Sequence, residues 1–474
     1  MSIGSILNMA RSGMNAQQAA IQTASQNISN AQTEGYSRQR VELVSSLPTA
    51  FPNGIVGTGV SVAGITRARD ILLDATFRSD SSGAAAADTT SGAMTQIQSV
   101  FGEPSNTGLS AALDAFWSGW SNLSANPTNS AAKSVVREAG NNVANTLNHF
   151  ASQLDQLDQS NRETINADVN QVNSLVTRIA QYNQQIIGSE SSGNSANDLR
   201  DARDKLLDEV TKIAGGQVVE RANGSAAIYL AGRAVVDGST VKQLQMNTGQ
   251  PPTVTFTGSA TAITGLGGSL GAAIDVSANR IPTTMARLDS LASGLVQTVN
   301  SIHSTGKIFT GSPPVATAAG NFFGVTIPPP TGVDPLQTAR GIRLAATLTD
   351  GSAVAASGAT ATGPGNNDVA MALAALSSTA VTLSAPSGFT TATFGDFFNA
   401  TVGDVATATK QAQDDSTVQT TLASSANSRR QSVSGVSTDE ELISVIQHQH
   451  AYQAAARLVN VVNEMTQTLI TLGQ

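Results

Sequence analysis

The chain has 474 residues and a mass of 48.4 kDa, which at roughly 150 residues per domain corresponds to about three domains. Charged residues make up only 13% of it, 26 Lys plus Arg against 34 Asp plus Glu for a net charge of −8; with no basic cluster, nucleic acid is excluded as a partner, because neutralising phosphates needs a concentrated basic face. Cysteine is absent, which removes disulfides, thiolate nucleophiles and thiolate metal sites together.

Residues 1–30 show neither the basic n-region nor the compact apolar core of a cleaved signal peptide. No apolar run approaches the roughly 20 residues that span a bilayer, so membrane insertion is not expected. Ile3, Leu7, Ala10, Met14, Ile21, Ala24 and Ile28 recur at alternating spacings of three and four, with Gln17 in the one polar slot. This is a heptad seam. Arg11 is the only charge in residues 1–33, whereas a helix with a solvated outer face normally carries many.

A second apolar period runs over residues 131–188 and predicts one long helix, with Phe116, Trp117 and Trp120 at helical spacing before it as a core anchor. Asp198, Arg200, Asp201, Arg203, Asp204, Lys205, Asp208 and Lys212 then read as a solvated helix face, with Asp201/Lys205 and Asp208/Lys212 as i,i+4 pairs. At Gly215 the period becomes alternating, with strands expected over 218–221, 226–230, 234–236 and 253–257 and a hairpin turn at Asn223-Gly224. The Gly-rich residues 265–271 miss the nucleotide fingerprint by one position and read as a turn. Helix returns over 287–303, where His303, like His149 earlier, reads as a helix-surface residue. Pro328-Pro329-Pro330 predicts a stiff spacer, residues 351–365 a small-residue loop, and helical periodicity resumes after Val369 and again from Phe394 to the end.

The last helix is expected to begin at Thr438 as N-cap, followed by Asp439, Glu440 and Glu441 at the positive end of the helix dipole. Its seam is read as Leu442, Val445, Gln449, Tyr452, Ala456, Val459, Asn463, Thr466 and Ile470, with a second apolar stripe through Leu458, Val462, Met465, Leu469 and Leu472. The two terminal seams can pair with each other. They then either close the fold as an ordinary hairpin or leave apolar faces that are covered only when many copies assemble, the reading that the sparse charge favours. His448 and His450 point some 200° apart on a helix and cannot share a metal. No H-E-x-x-H, G-x-S-x-G or Walker pattern occurs, so no catalytic residue, metal or cofactor is expected.

Asn27-Ile28-Ser29-Asn30-Ala31-Gln32-Thr33-Glu34-Gly35-Tyr36-Ser37-Arg38-Gln39 resembles the signature of the bacterial flagellar rod, hook and hook-associated proteins, departing from it at Gln32 and at Glu34, where the family has Pro. Gly57, Gly59, Val60 and Val62, followed by Ile65, Arg67 and Asp70, resemble a second family segment. Three further stretches, 123–128, 197–204 and 434–441, are similar to the hook-associated branch, and hook and rod proteins lack the first two of them. The resemblance covers roughly residues 1–305 and 390–474, and the short centre implies a missing or reduced outer domain. Asn27, Asn30, Gly35, Tyr36, Ser37 and Arg38 are the motif positions that it carries over.

The resemblance implies an α+β multidomain protein. Residues 1–33 and 440–474 pair as a coiled-coil-like inner domain; residues 34–213, 280–304 and 366–439 form a long-helix middle domain; residues 214–279 and 305–365 form an outer β-rich domain. It also implies an extracellular structural role at the junction between hook and filament, needed for filament assembly and motility, after export without a cleaved signal. The implied partners are further copies in a ring, the hook protein, the next hook-associated junction protein, and an export chaperone shielding the Leu458, Val462, Met465, Leu469 and Leu472 stripe. A hook or rod protein of the same family is the alternative, and a cytoplasmic coiled-coil signalling protein the alternative from another class.

Overall fold

The computed structural model describes residues 3–51, 54–103, 105–193, 195–326, 337–385 and 388–472. The chain starts in α1 (Ile3–Ser29) and turns into β1 (Gln39–Ser45), which pairs antiparallel with β4 (Val60–Arg67) from Gln39↔Arg67 to Ser45↔Val60. The short pair β2 (Thr49–Phe51) and β3 (Gly54–Val56) lies at its far end. Asp70 caps α2 (Ile71–Phe101) by accepting from the Leu72 and Leu73 N–H groups, and Gly102, left-handed at φ 55°, ends it. After α3 (Leu109–Ala125), Asn129 caps α4 (Ser130–Ser191), whose 62 residues make a rod of about 93 Å at 1.5 Å per residue.

The apolar stripe of α4 serves two separate cores. Val136, Val143, Leu147, Phe150 and Leu154 enter the first, and Ile165, Val169, Val172, Val176 and Ile179 the second. The second core is closed by α5 (Asn197–Ala214), by the antiparallel sheet β5 (Gln217–Glu220), β6 (Ala226–Leu230), β7 (Arg233–Asp237) and β8 (Thr240–Val241), and by the pair β9 (Leu244–Asn247) and β10 (Thr253–Phe256). Of residues 265–271, expected as a turn, Gly268–Gly271 already form the first turn of α6 (Gly268–Asp275), which passes through one π-helical turn, Val276–Arg280, into α7 (Ile281–His303).

In the first core, α3 packs on α4 and carries Phe116, Trp117 and Trp120 inward, the anchor expected from their spacing. Phe116 and Trp117 ring centroids lie 4.9 Å apart, and Trp120 meets Phe322 at 5.5 Å. The pair β11 (Lys307–Thr310) with β12 (Val315–Ala318) lies outside this core with β12 exposed, whereas the pair β13 (Phe323–Val325) with β14 (Ile342–Leu344) belongs to it, together with α8 (Thr338–Gly341) and α9 (Asp368–Ala375). Segments 214–279 and 305–365, expected as one outer β domain, therefore enter different cores, and no strand of one pairs with the other among the described residues. The physical reason is Phe322 and Phe323, fully buried against Phe116, which draw the second segment inward. The expected 351–365 loop is likewise packed: Val354, Ala355 and Ala356 are buried, and Gly351 fits against Ser134 of α4 where a Cβ would collide. Its small side chains serve close approach rather than mobility. The Pro328-Pro329-Pro330 spacer lies outside the described residues.

His303, expected on a helix surface, is fully buried. The Ala355 N–H donates to its Nε2 at 3.1 Å, so Nδ1 carries the proton that Gly320 O accepts at 2.7 Å. Burial pushes its pKa down, with the Gly320 bond opposing. Because the folded chain favours neutral imidazole, this contribution to stability is complete above the unfolded pKa near 6.5 and declines as pH falls below it. A melting temperature that falls between pH 7 and pH 5 in the wild type, with a smaller fall in His303→Gln, is the expected result.

The chain ends in the pair β15 (Val381–Ala385) and β16 (Gly388–Ala392), then α10 (Phe394–Ser434) and α11 (Thr438–Leu472). α10 lies antiparallel on α2: Thr409 Oγ1 donates to Met94 O at 3.1 Å near one end, and the Arg430 guanidinium sits 3.7 Å over the Phe77 ring near the other. Thr438 is the first helical residue of α11 rather than its cap; Ser437 Oγ accepts the Glu440 N–H instead.

Candidate functional site: the terminal helix pair and its joint

α1 and α11 pack antiparallel, as two contacts define: Asn27 Nδ2 donates to Glu441 Oε2 at 3.0 Å, and His448 Nδ1 to Gln17 Oε1 at 2.6 Å. The seam of α1 is narrower in side-chain size than expected. Ala10, Ala20, Ala24 and Asn27 are buried there, while Ile3, Met14, Ile21 and Ile28 flank it half-buried and Leu7 is exposed. Ala16 and Thr23 are also buried on α1, and Gly59 before β4 approaches Met9 and Ser12, where its φ of 114° also requires glycine. With α11 on one side and the strand pair on the other, small residues allow both to come close and the larger ones are displaced outward.

On α11 the less exposed positions are Glu441, Ser444, Val445, His448, Tyr452, Ala455, Ala456, Val459, Val462 and Thr466. Val445, Tyr452 and Val459 thus lie on the seam as expected and Ala456 beside it, but Leu442 and Ile470 are exposed. The expected seam was displaced by one residue at alternate positions. Val462, assigned to the free stripe, is 4% exposed and belongs to the seam. Leu458, Met465, Leu469 and Leu472 are exposed, and Ile443, Ile446 and Val461 complete that outer stripe.

The motif residues form the joint beneath the pair. Asn27 uses its whole amide: Oδ1 accepts from Gln39 N and Tyr36 OH, both at 2.9 Å, and Nδ2 donates to Gln39 O and Glu441. Asn30 accepts from Thr33 Oγ1, and Gly35 takes a left-handed φ of 87°. Arg38 donates through Nε to Glu441 at 2.7 Å and through Nη1 to Glu440 at 3.1 Å, and its N–H donates to Ser434 O. Burial, then the carboxylates of Asp198, Asp201 and Glu441, push the Tyr36 pKa up to about 12. Glu34, which stands where the family has Pro, pairs with Lys205 at 2.8 Å, so an ion pair ties down a turn that lacks the ring.

The α5 charges are the largest correction. Instead of a solvated face with internal pairs, Asp201, Arg203 and Asp204 are buried. Asp201 accepts from Ser37 N and Oγ and from Arg67; Asp204 accepts from Arg67 at 2.8 Å and Arg69 at 2.9 Å; Asp208 bridges Arg78 and Arg430, each at 2.6 Å. Arg69 also holds Asp74. Arg203 is fully buried and donates to Gly224 O and Glu220. Burial alone would raise the Asp204 pKa, but Arg69, Arg67, Arg203 and Arg78 bring it down to about 2. Sequence reasoning missed Arg67, Arg69, Asp74, Arg78 and Arg430 as partners. The only available signal was that 57–70, 197–204 and 434–441 all carried family resemblance, and these segments converge here with 27–39.

This arrangement can hold elements rigidly. Among the described residues, no group of three or more His, Cys, Asp or Glu is placed to hold a metal ion, and no helix is long and apolar enough to cross a membrane. The described part of the chain matches the model of the flagellar hook-associated protein FlgK helical domain over residues 94–323, that of the flagellar basal body rod FlgEFG protein C-terminal over 428–472, and that of the flagella basal body rod protein over 7–36. It is 30% identical to flagellar hook-associated protein 1 of Bacillus subtilis (strain 168), covering 98% of this chain and 97% of that one. It is 28% identical to the Escherichia coli (strain K12) protein of the same name, covering 75% and 66%. Its fold is similar to that of the flagellar hook junction protein FlgK from Burkholderia pseudomallei, with a TM-score of 0.65 at 17% identity over 76% of this chain and all of that one. Full-length similarity to the Bacillus relative, added to a joint built from the motif residues, means that the chain belongs to the flagellar hook-associated protein 1 family, structural proteins of the bacterial flagellum.

Proposed function

We propose that the chain forms the junction between hook and filament, by packing many copies side by side through the outer face of its terminal helix pair. The observation that carries this is the apolar stripe Ile443, Ile446, Leu458, Val461, Met465, Leu469 and Leu472, exposed along a helix whose opposite face is already covered by α1. A stripe of this length on a weakly charged helix belongs against another surface. The half-buried Ile3, Met14, Ile21 and Ile28 add a flank on α1, while Ala10, Ala24, Val445, Tyr452, Ala456 and Val459 support assembly by holding the pair together.

The copies close into a ring with hook protein on one side and the next hook-associated protein on the other. The role is mechanical, without catalysis. Before export, without a cleaved signal, the outer stripe of α11 is shielded by a chaperone; Leu458, Val461, Met465, Leu469 and Leu472 are the contact, with Val461 in place of the seam residue Val462. Electron microscopy of cells lacking the chain is the test. Hooks without filaments, with flagellin monomer in the medium, are expected; normal filaments would overturn the junction reading.

A further inference from the structure

The seam between α1 and α11 is built from residues that do not distinguish one register from the next. α1 presents Ala10, Gly13, Ala20 and Ala24, and α11 presents Val445, Tyr452, Ala455 and Val459, small or apolar layers that repeat every heptad. The polar side chains that bond across the seam are Gln17 with His448 and Asn27 with Glu441, whereas Thr23 and Thr466 bond to Ala19 O and Val462 O of their own helices. A slip of one heptad in one direction sets Gln17 against Ala455 and His448 against Ala24. In the other direction Gln17 meets Glu441, but His448 meets Ala10 and Asn27 loses Glu441. Either slip leaves polar groups in the seam without partners, at a cost of the desolvation penalty for each, while the apolar layers lose little.

We infer that the Gln17–His448 pair, backed by Asn27–Glu441, sets the register of the terminal helix pair. The register matters because it decides which part of α11 is covered by α1. Val462 is the last buried residue among the described residues of α11, and after it all of them except Thr466 are exposed, including Leu469 and Ile470. One heptad of slip would move α11 along α1 by about 10 Å, changing the surface that a neighbouring copy meets. A single polar layer that specifies alignment at some cost in stability is an attested use of such residues. The consequence for neighbours rests on the junction reading; the register itself does not.

The absence of cysteine permits a direct test on the full chain. Ala20→Cys with Val445→Cys reports the observed register, and Ala20→Cys with Tyr452→Cys reports a slip of one heptad. Under mild oxidation the first intramolecular disulfide should exceed the second by about tenfold or more. In a Gln17→Leu/His448→Leu background, which keeps bulk and adds hydrophobicity, the ratio should fall toward one. In the exchanged pair Gln17→His/His448→Gln, it should stay high. An unchanged ratio in the double-Leu chain, equal yields without any substitution at 17 or 448, or a slipped product in the exchanged pair would each overturn the inference. Filament formation is scored separately in cells, so failure at the hook would count against the junction reading and not against the register.

Discussion

Replacing Asp204 with Ala should cost roughly 3 to 5 kcal/mol, the range for breaking a buried charge network by removing one member. The carboxyl is the common acceptor for Arg67 and Arg69 and lies beside buried Arg203, so its loss leaves guanidiniums in a poorly solvated site with too little negative charge. The damage should be local. The strand pair β1–β4 and the start of α2 would detach from α5, while the aromatic core around Trp120 stays intact, so limited proteolysis should cut near residues 60–75 and tryptophan fluorescence should change little. Acid gives the same perturbation reversibly. The folded carboxyl titrates at about 2 against an ordinary value of 3.8, a depressed pKa, so the stabilisation is complete above pH 4 and is lost as pH falls from 4 toward 2. Asp204→Asn should remove that acid-dependent step, and a protease-cleavage profile that was unchanged in Asp204→Ala would show that the network does not carry the joint.

The second large effect concerns assembly rather than folding. Val461→Asp and Leu469→Asp each put a carboxylate on the outer stripe of α11, where it is solvated in the free chain and would be desolvated against a neighbour at a penalty of several kcal/mol. Both variants should melt like wild type and be absent from isolated flagella, with cells non-motile. Val462→Asp, one residue from the first, should act differently, because its side chain is buried against α1 and the charge would separate the helix pair itself. Three variants with identical behaviour in both assays would mean that the inner and outer faces of α11 are not distinct.

Helical and strand periods were legible along most of the chain because they are local. The long apolar repeat of 131–188 is α4, alternation after Gly215 is the β5–β8 sheet, and the charge-poor heptads are α1 and α11. The roles of the motif around Asn27 and Gly35 are mostly local, since the amide bonds to Tyr36 and Gln39 and the left-handed turn lie within twelve residues, and only the Asn27 bond to Glu441 comes from the far end of the chain. Tertiary structure alone decided which face of each helix is covered. A helix with two apolar or small faces carries no information about which one meets its partner, so Val462 and Leu442 exchanged roles and the Ala face of α1 displaced its Ile and Met flank. It alone also decided the fate of charges: Asp201 and Asp204 look solvated beside Lys205, and are buried because Arg67 and Arg69 arrive from more than 130 residues away. Electrostatic and packing energies depend on distance in space, and sequence separation says nothing of that for residues brought together only by the fold.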